Sequence, residues 1–443
     1  GAIHFISKRP GNTTDGFASV AFGNYNQREF RGAINVPIVK DKLFARAAGF
    51  YDFRDGFVEN TFGGTLNGKN TLAGRLSVRY LPAKNHQLDL ILSYQNDDTP
   101  GIAFMSKQYP NTEGDTDIFN YRASLEQGDN LYTGKELFDA ALYYRYNINE
   151  HTYLSTITSF RKTSSGSRWD GDGTAAPALD FWDDAGADQF YQELRYNFSW
   201  RSRLNGSAGI SYWNEKADQT YWFSPNEQST AVLFFQPELL ILPNGQPLLI
   251  PALPDNPELG PLAGMPLPEY HLENNYSVAN NQALEAFIDA TYQITSKLYF
   301  TGGIRAAYEN FELSNEAAFV DGEPSTLGLI TGNHPNMFFK PTSEQSMDDN
   351  SMAVNWQAGL QYRISENTNI FSNYSNGRRP VVLQYTSAGE PEQLPAERVD
   401  NIDIGIKSSI YGRAYIDVVA FFQKYKDFQT RAWVADPVTG EFK

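Results

Sequence analysis

The side chains with the clearest chemical use in this chain are arginines and aromatics near the ends of long polar segments. That use is binding. Arg378 and Arg379 stand together in Tyr374-Ser-Asn-Gly-Arg-Arg-Pro380, and Arg161 and Arg168 flank another such end. Guanidinium forks grip carboxylates and chelate oxygens, while aromatic rings supply rigid contact area. Phe104, Tyr109, Trp169, Trp182, Tyr221 and Trp222 are the aromatic candidates for a substrate-binding vestibule. A second reading stays open for each. Arg378 and Arg379 could pair with Glu390 or Glu397, and the rings could simply pack and order the loops.

Other chemistry is excluded more firmly. The chain lacks cysteine, so thiolate nucleophiles, thiolate metal sites and disulfides are absent together. Its five histidines show no paired metal-ligand spacing. There is no nucleophile elbow, phosphate cradle or dinucleotide fingerprint, so no catalytic residue and no cofactor is expected. Asp170-Gly-Asp172-Gly173, with Asp180, Asp183 and Asp184, could offer oxygens to Ca²⁺. It lacks the glutamate at the twelfth position of a calcium loop, and the expectation is a solvated acidic loop without metal. A net charge of −16 argues against a nucleic-acid partner, since phosphate binding rests on Lys and Arg.

The elements that must position these groups are strands. Ala286, Ile288, Ala290, Tyr292 and Ile294 alternate with Glu285, Phe287, Asp289, Thr291 and Gln293. Val354, Trp356, Ala358, Leu360 and Tyr362 alternate in the same way with Asn355, Gln357, Gly359 and Gln361. Side chains in a strand point alternately to its two faces, so each ribbon has one apolar and one polar side. Such runs reach ~10–14 residues, against ~5–6 for an ordinary globular strand. Tyr80, Tyr94, Tyr146, Tyr292 and Tyr362 stand near the ends of the apolar faces, as in the aromatic girdles of membrane barrels. No uninterrupted apolar run of ~20 residues exists to form a spanning helix. Seven short links (39–42, 83–86, 149–152, 201–203, 295–297, 365–368 and 412–413) take turns with long ones at 58–70, 97–135, 170–188, 224–280, 315–350 and 378–398. The expected fold is all-β: an antiparallel up-and-down transmembrane barrel with about fifteen strands present and an unclosed end.

The first ten residues, Gly1-Ala-Ile-His-Phe-Ile-Ser-Lys-Arg-Pro10, resemble the last plug strand of TonB-dependent outer-membrane receptors. A linker at 11–15 then leads into Gly16-Phe-Ala-Ser-Val-Ala-Phe-Gly23, similar to that family's first barrel strand. Leu43–Gly56, Tyr374–Pro380, Glu397–Lys407 and Ala420–Gln429 resemble later parts of the barrel, in the expected order. The resemblance implies a barrel of roughly 22 strands, incomplete here over 16–443, with its closing strands and most of the plug missing. It further implies TonB-energised uptake of a scarce solute, a ferric siderophore being the favoured choice, across the outer membrane of a Gram-negative bacterium. Oligosaccharide, haem or cobalamin receptors and a passive porin-type channel are the alternatives. The implied partners are the TonB–ExbB–ExbD complex acting through an N-terminal TonB box, outer-membrane lipid and lipopolysaccharide, and a small chelate or glycan. The receptor would be a monomer.

Overall fold

A computed structural model describes residues 6–430, apart from 202, 387, 411 and 412. Its fifteen long strands form one continuous antiparallel sheet in simple sequence order. They are β1 (Asp15–Gly23), β2 (Gln27–Val39), β3 (Leu43–Arg54), β4 (Lys69–Tyr80) and β5 (His86–Pro100). Next come β6 (Tyr132–Asn147), β7 (Thr152–Asp170), β8 (Asp180–Trp200), β9 (Leu204–Ser224) and β10 (His271–Gln293). The series ends with β11 (Leu298–Gly322), β12 (Thr342–Ser365), β13 (Thr368–Arg379), β14 (Glu397–Ile410) and β15 (Ala414–Lys426). Among the described residues, β1 and β15 are the two edges. Residues 1–5 of the expected plug strand lie outside the described residues, and Ile6–Pro10 carries no strand. That segment nevertheless lies along the polar side of β4–β7, where Arg75 hydrogen-bonds the Ser7 hydroxyl.

Register converts the alternation of single strands into two faces of a whole wall. Leu90 lies opposite Leu142, Leu194 opposite Ile210, Ile288 opposite Ile304, and Ile304 opposite Trp356. These residues form one apolar band, and they are not covered: Ile288, Ile304 and Leu360 are 48%, 50% and 50% exposed. Each such side chain left in water forfeits about 1.5–3 kcal/mol relative to burial. A band this wide therefore calls for hydrocarbon against it. The other face pairs charges and hydroxyls instead, as where Arg79 grips both oxygens of Asp89 at 2.6 and 3.0 Å.

The strands are longer than the alternation implied. β7 to β12 run 19 to 25 residues each, whereas about 9–11 suffice to cross a bilayer. Their outer halves run past that length and carry charged residues on both faces, as Asp183, Asp184 and Asp188 do in β8, so the period-2 signal fades. For this reason residues expected in loops belong to strands, and the true connections shrink to 101–131, 171–179, 225–270, 323–341 and 380–396. The first outer connection, 24–26, also departs from the short–long rhythm. It is a tight turn, with Tyr25 and Asn26 at φ 56° and 55°.

The buried apolar core sits mainly in the outer connections, not between strands. Ala175, Ala176, Ala178, Val232, Leu240 and Ile241 form one cluster. Phe223, Ala231, Leu253, Leu267, Leu327 and Met337 form a second. A third joins Val58, Leu66, Ala123, Leu125 and Leu131 beneath a small sheet of three short strands. Helix α1 (Glu227–Phe235) starts because the Asn226 side chain accepts from the Gln228 and Ser229 amides. It lends Ala231 and Val232 to two of these clusters. The long outer connections are thus a folded cap.

Candidate ligand vestibule and inner wall

The cap is fastened by two fully buried carboxylates. Glu227, the first residue of α1, accepts from the Ser325 hydroxyl and from the Thr326 and Leu327 amides at 3.1 and 3.0 Å. Those donors open the short helix α2 (Leu327–Thr331), whose free N–H groups favour an anion. Glu273, at the outer end of β10, accepts from the Met337, Phe338 and Phe339 amides at 2.6, 2.8 and 3.1 Å. His271 lies beside it, with Nε2 3.2 Å from Glu273 and Nδ1 2.9 Å from the Glu323 carbonyl. Burial works against a charged imidazole there, but the Glu273 and Glu323 contacts outweigh it and raise the His271 pKa. None of these three residues has a local sequence signature. Only the fold brings residue 227 to 325 and residue 273 to 337.

A second knot of charge joins 101–131 to 171–179. Asp170 accepts from the Asp172 and Gly173 amides through Oδ1, and burial with the adjoining Asp172 and Glu126 carboxylates drives its pKa well up. Burial pushes Asp172 up to about 7, with the Glu126 charge adding to the shift and bonds from Thr174 and Leu179 opposing it. Arg168 holds Asp180 by both oxygens, at 3.0 and 2.5 Å. The acidic stretch expected to be solvated is instead partly buried, at Asp170 and Asp180, and its candidate calcium oxygens are engaged elsewhere. Asp170 and Asp172 turn onto backbone amides, Asp180 onto Arg168, and no metal-holding group of three or more His, Cys, Asp or Glu occurs among the described residues.

The expected binding residues do not share one site. Trp169 stacks on Phe181 at 5.7 Å and Phe181 on Phe223 at 4.6 Å; Phe338 lies 5.6 Å from Phe223. This ladder was invisible beyond Trp169, since Phe338 comes from a distant connection. Tyr221 lies opposite Asp183 and Asn275, in register with the polar inner face. Trp182 and Trp222 stack on each other at 5.9 Å on the opposite face, with the Arg168 guanidinium 5.0 Å above Trp182. A one-residue step in a strand reverses its side chain, so Trp222 points away from the face Tyr221 occupies. Tyr109 packs against the first apolar cluster and orders the cap, while Phe104 remains 54% exposed.

Among the arginines, Arg161 bonds Asp139 at 2.7 Å and lines the space beside Ile6–Pro10, well inside the wall. Arg378 does not pair with Glu390 or Glu397. It donates to Glu309 at 2.6 Å and to Ser351 at 3.2 Å, because β11 and β12 place those two opposite each other on the inner face. Arg379 faces Glu397 across the β13–β14 ladder, and Glu390 instead approaches Lys340 at 3.9 Å. Arg378 also borders an inner-wall cavity of about 590 Å³, with Arg195, Glu285, Phe287, Arg305 and Glu309. Arg195 and Arg305 sit over the Phe287 ring at 5.0 and 5.3 Å. The Arg378 Nη1 is buried without a hydrogen-bond partner among the described residues. A buried donor left unmatched is costly, and an anionic oxygen would satisfy it.

An uncovered apolar band, a polar inner wall and a folded outer cap describe a receptor-type membrane barrel, and the comparisons agree. The family model described as "TonB dependent receptor-like, beta-barrel" matches residues 8–442. The chain belongs to the TonB-dependent receptor family. That family consists of receptors and transporters of the Gram-negative outer membrane. The ferric yersiniabactin uptake receptor FyuA from Yersinia pestis has 14% identity and a TM-score of 0.71, over 96% of this chain and 56% of its own. The siderophore receptor PiuA from Acinetobacter baumannii has 13% identity and a TM-score of 0.59, over 99% and 67%. The copper transporter OprC has 10% identity and a TM-score of 0.58, over 96% and 55%. At such identities the likeness is one of fold. This TonB-dependent receptor barrel spans little more than half the length of FyuA and OprC.

Proposed function

We propose that the chain is the greater part of the barrel of a TonB-energised receptor that takes up a ferric siderophore across an outer membrane. A plug and further strands would complete a cylinder of roughly 22 strands, and a TonB box would couple it to TonB–ExbB–ExbD. The observation that carries the reading is the inverted burial: apolar residues outside on the strands, charged and amide residues inside, and the dry core mainly in the outer cap. A one-sided soluble sheet has no reason to leave so many large apolar side chains uncovered. FyuA is titled a ferric yersiniabactin uptake receptor and PiuA a siderophore receptor, which supports the substrate class. Tyr221, the Trp169–Phe181 stack and Arg378 are the contacts assigned to the ligand, entering under the cap and descending the inner wall.

The test is ligand titration of the full-length receptor, read by tryptophan fluorescence. A ferric chelate should quench it, and Arg378→Ala should weaken binding roughly 10–100-fold, as expected for a lost hydrogen bond to a charged group. Quenching by a glycan, haem or cobalamin but by no ferric chelate would overturn the substrate class. Ligand-independent conductance through the intact receptor would favour a diffusion channel instead.

A further inference from the structure

Charge along this molecule is divided between its two rims. At the cap end, the stretches 170–188 and 224–280 each carry six acidic residues and no Lys or Arg. At the short-turn end the balance reverses. Lys40 and Lys42 flank one turn, Arg201 and Arg203 another, and Lys84 and Lys297 stand at two more. All six are exposed, and none has an ion-pair partner among the described residues. Acidic residues in the described turns are Asp41, Glu150 and Glu366, and Asp41 is engaged by Asn12.

Next to these cations, on the apolar face, stand Tyr80, Trp200, Tyr292 and Tyr362, at 45%, 66%, 45% and 43% exposure. His86 stacks on Tyr146 at 4.8 Å close by. Rings of this kind settle where headgroups meet hydrocarbon. Arg201 directly follows Trp200, and Lys42 and Lys297 precede Leu43 and Leu298, which lie opposite Tyr80 and Tyr362; these cations therefore stand at the height of lipid phosphates, and their long stems let the charged ends reach outward. Two arginines on one three-residue turn repel each other unless an anion lies between them. A guanidinium fork matches a phosphate oxygen pair.

We propose that the turn rim is a collar for anionic glycerophospholipid headgroups, of the phosphatidylglycerol type, in the leaflet facing the short turns. The collar fixes the height of the barrel in the membrane, while the acidic cap rejects the same lipid at the other rim. This depends on the membrane orientation of the sheet and not on the identity of the transported solute.

The experiment is native mass spectrometry of the full-length receptor released from nanodiscs of phosphatidylcholine with and without phosphatidylglycerol. Retained phosphatidylglycerol is expected in preference to phosphatidylcholine, at roughly fivefold in affinity per cation and falling with salt. Changing Lys40, Lys42, Lys84, Arg201, Arg203 and Lys297 together to Gln should abolish that preference, while the cap variant D255N/E258Q keeps it. If the sixfold variant does not insert, R201Q/R203Q should still lower phosphatidylglycerol retention by more than tenfold. Equal retention of the two lipids, or unchanged retention in either turn variant, would overturn the proposal.

Discussion

Replacing Glu227 by Ala tests whether the cap is held from below by a buried carboxylate. The substitution strands the Thr326 and Leu327 amides and the Ser325 hydroxyl in a place from which water is excluded. Each unmatched buried donor costs about 1–3 kcal/mol. The three are neighbours and do not add, so about 3–5 kcal/mol is expected, similar to breaking a buried charge pair. The strands share none of these contacts, and the loss should therefore remain local to 323–341. Since every 1.4 kcal/mol is tenfold, the opening constant of that segment should rise by roughly two to four powers of ten. Hydrogen-exchange mass spectrometry of the full-length receptor in nanodiscs reads this directly. Amides in 325–339 should lose protection while those of β10 and β11 within the bilayer keep theirs, and Glu258→Ala, an exposed change in the same connection, should alter neither. Unchanged exchange at 325–339, or a loss spread evenly over the strands, would refute the assignment of Glu227 as the fastening.

Two further outcomes follow from the charge and burial pattern. Asp172 has a folded pKa of about 7 against an ordinary 3.8, so its contribution to cap stability is full below about 4 and is lost as pH rises through 7. Exchange of 171–179, corrected for intrinsic rates, should accelerate between mildly acidic and mildly alkaline pH, and Asp172→Asn should flatten that profile; a flat profile in the unmodified receptor would count against it. On the lipid band, Ile288→Arg should cost about 2–4 kcal/mol in denaturant unfolding from bilayers. Ser207→Arg, one position across the ladder but facing Asp289 on the inner wall, should cost far less, and equal costs would contradict the two-faced wall.

Much of the architecture was legible because a strand's period is simple. Ala286 to Ile294 and Val354 to Ile364 state which side is apolar without reference to any neighbour. The five short turns that are wholly described fell where expected, while 202 and 412 of the other two lie outside the described residues, among which the sheet has fifteen strands. Strand length was underestimated where both faces carry charged residues, as in Asp180–Asp188, which reads as acidic loop and is the start of β8. The vestibule was legible only in part. Trp182 and Trp222 carry the right chemistry for a ligand contact, yet register turns them to the other face. Arg378 lies at the outer end of β13, as its place in the sequence implied, but its partner is Glu309, 69 residues away.

Composition and period therefore determined, by themselves, that this chain makes long two-faced ribbons joined in sequence order, because facing is a property of each residue's place in its own strand. They also fixed what chemistry is lacking, since no fold can supply a thiolate that is not encoded. The meeting of Glu227 with 325–327, of Glu273 with 337–339, and of Arg378 with Glu309 was decided by tertiary structure alone. Those contacts depend on ladder register and on loop packing between segments far apart, and no local pattern carries that information.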